Sequence, residues 1–117
     1  MIATLTGKLK IKLNNQIVID VNGVGYCLQV SKNTLDNVGE VDEIVILNTD
    51  LQVRDDSILL YGFKFQSELN MFKLLQSIQG IGPRAALAVL SALNVEQIII
   101  AIKSSDKSAF QKADGIG

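Results

Sequence analysis

The hydrophobic pattern of this 117-residue chain changes period once, near residue 63. Before that point apolar and polar residues tend to alternate. Beyond it apolar residues recur every three or four positions. A chain written in two periods folds as a β half followed by an α half, so the expected class is α+β. The expected domains are residues 1–63 and 64–117.

In the first half, Ile2 to Leu13 sets Lys8, Lys10 and Lys12 on the face opposite Leu9, Ile11 and Leu13. Asn14-Asn15 is a turn, and Gln16 to Val21 is a β-branched strand. Asn22-Gly23 follows, a hairpin signal because both residues tolerate positive φ. Gly25 to Ser31 is the third strand, with Cys27 expected as a small buried hydrophobe. Lys32 to Gly39 is a connector with a helical turn around Thr34 to Asn37. Glu43 to Val53 is the fourth strand, Arg54 to Ser57 a polar turn and Ile58 to Phe63 the fifth strand. Five short strands with a connector after the third suit a small closed barrel, most commonly an OB-fold. A five-stranded half-sandwich is the alternative.

In the second half, Ser67 is the expected cap of a helix running to about Gln79. Its stripe is Leu69, Phe72, Leu75 and Ile78, widened by Met71 and Leu74. Met71 and Phe72 are expected in the core. Pro83 suits the first position of the next helix, which continues through Ala85 to Leu93. Asn94 caps a third helix, Val95 to Lys103, and Ser105 or Asp106 caps a fourth that ends near Lys112.

Composition narrows the chemistry. The chain has no histidine, which removes Ser-His-Asp and Cys-His catalysis and most zinc sites. Its one cysteine excludes an internal disulfide and fits a reducing compartment. No apolar run reaches the ~18 residues that span a bilayer, and Met1 to Leu5 lacks the opening of a signal peptide. These features point to a cytoplasmic chain. Residues 1–63 carry five basic and eight acidic side chains, and residues 64–117 carry six basic and four acidic ones. The second half therefore suits a polyanion better than the first.

Gly-Ile-Gly occurs at 80–82 and again at 115–117, 35 residues apart. Two glycines allow a tight reversal and leave the backbone uncovered, while the isoleucine between them plugs the helix junction. The N-terminus of the helix after the first copy then points outward with its partial positive charge, and phosphate is its natural ligand. Arg84, in that helix's first turn, adds a charge-assisted contact. One copy alone also reads as an ordinary glycine C-cap. Two copies in one short helical half are a repeat.

These residues resemble a known family. Gly80-Ile81-Gly82-Pro83-Arg84 looks like a helix-hairpin-helix motif, a binder of backbone phosphates. Together with Met1-Ile2-Ala3-Thr4-Leu5-Thr6-Gly7, Val21-Asn22-Gly23-Val24-Gly25-Tyr26, Val53-Arg54-Asp55-Asp56 and Leu60-Tyr61-Gly62-Phe63, it resembles the RuvA family along the whole chain and in the family's order. The resemblance implies an N-terminal OB-fold, an all-helical domain with two helix-hairpin-helix motifs, then a flexible link and a small third domain. By that pattern the sequence ends inside the second hairpin, ahead of the domain that contacts the motor RuvB.

The resemblance also implies a four-fold homotetramer on four-way (Holliday) junction DNA. The chain would be the non-catalytic subunit of the branch-migration helicase in recombination and repair. Its partners would be RuvB, which uses the ATP, and the RuvC resolvase. Gly80, Ile81, Gly82 and Arg84 would form the first DNA-binding hairpin, and Gly115, Ile116 and Gly117 would begin the second. Asp55 and Asp56 would be an acidic pin, so that eight carboxylates repel phosphates from the centre of a tetramer. Asp114 stands where the family often has proline, and an acid there opposes phosphate binding. No cofactor, catalytic residue or metal ligand is implied, and the chain has no G-x-x-x-x-G-K-[ST] phosphate loop.

Two other classes fit some of the residues. A metal-dependent junction nuclease would use Asp55 and Asp56, but adjacent strand residues point to opposite faces and no further acid cluster supports them. A single-strand binder would stack bases on barrel aromatics, for which few are present: Tyr26, Tyr61 and four phenylalanines. Of the four, Phe63, Phe65 and Phe72 lie at the barrel–helix boundary or on the helical stripe.

Overall fold

A computed structural model of the chain describes residues 1–104. They form β1 (Thr4–Lys12), β2 (Gln16–Val21), β3 (Val24–Gln29), α1 (Lys32–Asn37), β4 (Ile44–Arg54), β5 (Ser57–Phe63), α2 (Gln66–Gln76), α3 (Pro83–Ala92) and α4 (Val95–Ser104). The chain divides into two compact units, Met1–Leu69 and Asn70–Gly117.

In the first unit the five strands close into a barrel in the order β1-β2-β3-β5-β4. Strand β1 pairs with β2 along one stretch and with β4 along another. The β3–β5 contact is parallel, at Gln29 and Tyr61, and the other pairings are antiparallel. Helix α1 follows β3, as an OB-fold requires, so the half-sandwich is set aside.

Alternation builds the barrel core. On β2, Ile17 and Ile19 are fully buried between half-buried neighbours. They join Leu9, Leu28, Val45, Leu47 and Leu60, and each such side chain contributes roughly 1.5–3 kcal/mol by leaving water. The β2–β3 turn matches its sequence signal. Asn22 has φ 52° and Gly23 φ 90°, the primed geometry that suits the strand twist. The Gly23 N–H also donates to Asp20 Oδ1 at 2.7 Å.

Four residues depart from the sequence expectation, in two places. A bulge between Leu9 and Ile11 shifts the phase of β1. Ile11 and Leu13 then face solvent, and the half-buried Lys12 donates from Nζ to the Gly39 carbonyl at 2.9 Å. Cys27 is exposed, not buried. Val24, Tyr26 and Leu28 share one phase of β3, and Leu28 reaches the core, while Cys27 lies on the other phase with Gly25 and Gln29.

A buried acid closes this unit. Glu68 is 1% exposed. Its Oε2 accepts from Ser31 Oγ at 2.9 Å and from Asn33 Nδ2 at 3.1 Å, and its Oε1 accepts from Thr34 Oγ1. Thr34 Oγ1 accepts in turn from the Lys64 N–H at 3.1 Å. Ser31 also caps α1, its Oγ accepting from the Thr34 N–H. Three donors thus satisfy a carboxylate that would otherwise be costly to bury. The network ties the first turn of α2 to α1, which is why the compact unit reaches Leu69 and not only residue 63.

Helix α2 starts at Gln66, so Ser67 sits inside the first turn and does not cap it. The N–H groups of Glu68 and Leu69 donate to the Phe65 carbonyl. Met71, Phe72 and Leu75 are buried, whereas Leu74 and Ile78 are about half exposed, at 53% and 46%. Leu74 lies across the helix from that stripe, and Ile78 lies past the helix end.

In the second unit Ala86, Val89 and Leu90 of α3 and Ile98 and Ala101 of α4 face inward. Asn94 and Gln97 form a reciprocal capping box at the start of α4. The Gln97 N–H donates to Asn94 Oδ1 at 2.8 Å, and the Asn94 N–H donates to Gln97 Oε1 at 2.9 Å. The expected fourth helix of this half and the second Gly-Ile-Gly, Gly115 to Gly117, lie outside the described residues. Among the described residues no single helix is long and apolar enough to cross a membrane.

Candidate nucleic-acid interface

The first Gly-Ile-Gly is an elbow built in three steps. Helix α2 tightens as it ends: the N–H groups of Ser77 and Ile78 donate to the carbonyls of Leu74 and Leu75, each at 3.1 Å. A four-residue turn follows, closed by the Ile81 N–H donating to the Ile78 carbonyl at 3.1 Å. Its third residue, Gly80, has φ +90°, the value that a type II turn reserves for glycine. Gly82 then returns to extended backbone, φ −91° and ψ −175°, as the residue before α3. Only the first of the two glycines therefore uses the left-handed region.

Pro83 opens α3, and the Ala86 N–H makes the first helical bond, to the Gly82 carbonyl at 3.0 Å. The N–H groups of Gly82, Arg84 and Ala85 precede that bond and have no partner among the described residues. Ile81 differs. Its N–H is used inside the turn and its side chain is only half-buried, so it packs less deeply than a core plug. Gly80, Gly82 and Arg84 are exposed. Arg84 makes no hydrogen bond or ion pair within the described residues.

Gly82 is the informative position. A methyl group built there would meet nothing within 4 Å, and the backbone conformation is open to any residue. Ser, Asn or Asp would cap α3 better, since glycine supplies no side-chain acceptor. Among the described residues nothing demands a glycine there, and its bare peptide is open to close approach.

The acidic turn lies in the first unit. Arg54 pairs with Ser57, leaving Asp55-Asp56 as a two-residue loop between β4 and β5. Both acids are exposed. Neither acid makes an ion pair among the described residues. Arg54 turns away along its strand, donating from Nη2 to Gln52 Oε1 at 3.2 Å, and Gln52 Nε2 donates to Asp50 Oδ2 at 2.7 Å. Among the described residues no three His, Cys, Asp or Glu side chains gather into a metal-sized cluster. Tyr61, Phe63 and Phe72 are buried and Phe65 is 46% exposed, which leaves few rings on which bases could stack.

The structure thus brings Gly80, Ile81, Gly82 and Arg84 into one loop, and Asp55 and Asp56 into one turn. The two features belong to different units. Sequence reasoning missed Glu68, whose partners lie 34 to 37 residues away. It also missed Val53 and Ile58, a pair of exposed apolar residues beside the acidic turn. The unbroken alternation from Leu51 to Val53 was the available signal for that pair.

Comparison with known proteins decides the family. A model described as RuvA N terminal domain matches residues 1–62, more than half of the chain. The chain belongs to the RuvA family. A model described as SAM-like Helix-hairpin-helix tandem matches residues 72–117, which include the elbow. Relatives named Holliday junction branch migration complex subunit RuvA align over all 117 residues: 46% identical in Zymomonas mobilis subsp. mobilis, 43% in Acetivibrio thermocellus and 41% in Methylocella silvestris. The chain spans 55%, 58% and 56% of the length of these three relatives.

Proposed function

We propose that this RuvA-family chain binds four-way junction DNA by its phosphates, without regard to base sequence. It would do so as the DNA-binding part of a branch-migration subunit. The observation that carries this reading is the open elbow, where Gly82, Arg84 and Ala85 offer unused N–H groups beside an unpaired guanidinium. A helix start with bare peptide donors is a ready phosphate site. The neighbouring cation adds a contact of the charge-assisted kind.

Asp55 and Asp56 act in the opposite sense. DNA carries one charge per ~1.7 Å of duplex axis, so an acid pair with no ion-pair partner among the described residues turns the backbone away. In a homotetramer the four acidic turns would gather near the axis, where strands exchange, with the elbows holding the arms. The chain performs no catalysis and takes no cofactor in this reading. ATP is used by RuvB, reached through parts of the longer relatives that this chain does not span, and RuvC is a further partner. The setting is the cytoplasm, where bacterial DNA is recombined and repaired.

Titration of a four-way junction and a linear duplex of equal length, over a range of salt, tests the proposal. The expected result is preference for the junction and an affinity falling linearly in log salt. Equal affinity for both DNAs would overturn it.

A further inference from the structure

The β4–β5 hairpin carries an apolar pair that the barrel does not use. On this hairpin Leu51 pairs with Leu60 and Val53 with Ile58. All four share one face, since residues two apart on a strand point the same way. Leu60 is in the barrel core and Leu51 packs against it. Val53 and Ile58, one step further out, are 66% and 68% exposed. The inward-facing stripe thus runs past the barrel and ends in water, directly before Arg54, Ser57 and the Asp55-Asp56 turn. The polar row Asp50–Gln52–Arg54 lies on the alternate face.

We propose that Val53 and Ile58 form an apolar wedge that receives DNA bases unstacked at the crossover of the junction. The assignment rests on the junction-binding function proposed above. The choice of a base follows from the surroundings. Two carboxylates with no ion pair among the described residues stand at the tip, while Arg54 is held along the alternate face by Gln52, so the tip rejects phosphate and leaves a neutral, flat base unopposed. Two side chains at a hairpin end also fall far short of the ~800 Å² per partner that a stable protein interface buries. Aliphatic side chains inserted at base steps are an established way to part a stack. The turn and the pair then divide the work: the acids exclude the backbone, and the apolar pair covers the base face that unstacking exposes to water.

A junction with 2-aminopurine at the crossover reads unstacking as a rise in fluorescence. The test compares the wild-type chain with Val53→Thr/Ile58→Thr, which keeps β-branching and strand propensity but adds hydroxyls. A second variant, Val53→Ala/Ile58→Ala, and circular dichroism of both variants guard against a folding defect. The expected result is a fluorescence rise cut to about half or less on a junction that is still preferred over the duplex, because phosphate contacts dominate affinity. An undiminished rise on a preferred junction would overturn the wedge alone. So would a change in oligomeric mass by light scattering, which would make the pair a subunit contact. A wild-type chain that binds junction and duplex equally would overturn the junction function, and the wedge with it.

Discussion

Gly7 and Gly82 lack the same atom for opposite reasons. A Cβ on Gly7 would stand 2.4 Å from the Asp20 carbonyl oxygen and 2.7 Å from Ile19 Cγ2. A Cβ on Gly82 would meet nothing within 4 Å. In the barrel the chain's own packing dictates the residue. At the elbow the packing is indifferent and the helix would be better served by a capping side chain. A glycine that its own fold does not require is where the proposed contact can be tested, whereas a glycine required by the fold says nothing about function.

The contrast breaks most visibly through Gly7. Gly7→Ala should destabilise the barrel by about 3 kcal/mol, because the obstructing atom is a backbone oxygen that cannot swing aside. Urea unfolding measures this, and unchanged stability would mean that β1 moves freely against β2. Gly82→Ser should do the reverse. A serine hydroxyl would accept from the Arg84 or Ala85 N–H, holding stability level or raising it by a few tenths of a kcal/mol. It would also cover the peptide used by the proposed phosphate contact, lowering junction affinity by about tenfold, or about 1.4 kcal/mol. A thermal melt and a titration at matched salt check both halves, and full affinity would remove the reason given for the glycine. The smallest effect is expected at the acidic turn. Asp55→Asn with Asp56→Asn should leave junction affinity unchanged or raise it up to about threefold, the gain shrinking as salt shortens the ~10 Å screening length. A clear loss of affinity would show that the acids attract a partner.

Much of this molecule is legible wherever a local pattern is also the physical cause. The β-branched run Gln16 to Val21 formed the strand it favours, and Asn22-Gly23 formed the turn that its backbone freedom favours. The proline and glycines at 80–83 located the elbow. Patterns failed where a distant event set the outcome. The β1 bulge sent Ile11 outward against its phase. Cys27 is a different kind of miss, because Tyr26 and Leu28 already mark the inner phase of β3 and the strand's own alternation places Cys27 outside with Gly25 and Gln29. Helix α2 stopped before Ile78 despite a continuing stripe, because its last turn tightened into the elbow. Glu68 reads as a routine acid in a first helical turn. Only the folded barrel gives it Ser31, Asn33 and Thr34.

The bare start of α3 has a consequence for how recognition and order are linked. With Gly82 supplying no acceptor, this helix begins without a lid of its own making, and its leading amides have no partner among the described residues. A nucleotide oxygen seated there would take the place of the absent serine or aspartate, completing the polypeptide's secondary structure with an atom borrowed from DNA. Occupancy would then steady the first turn as it forms the contact, since whatever binds only the ordered form favours that form.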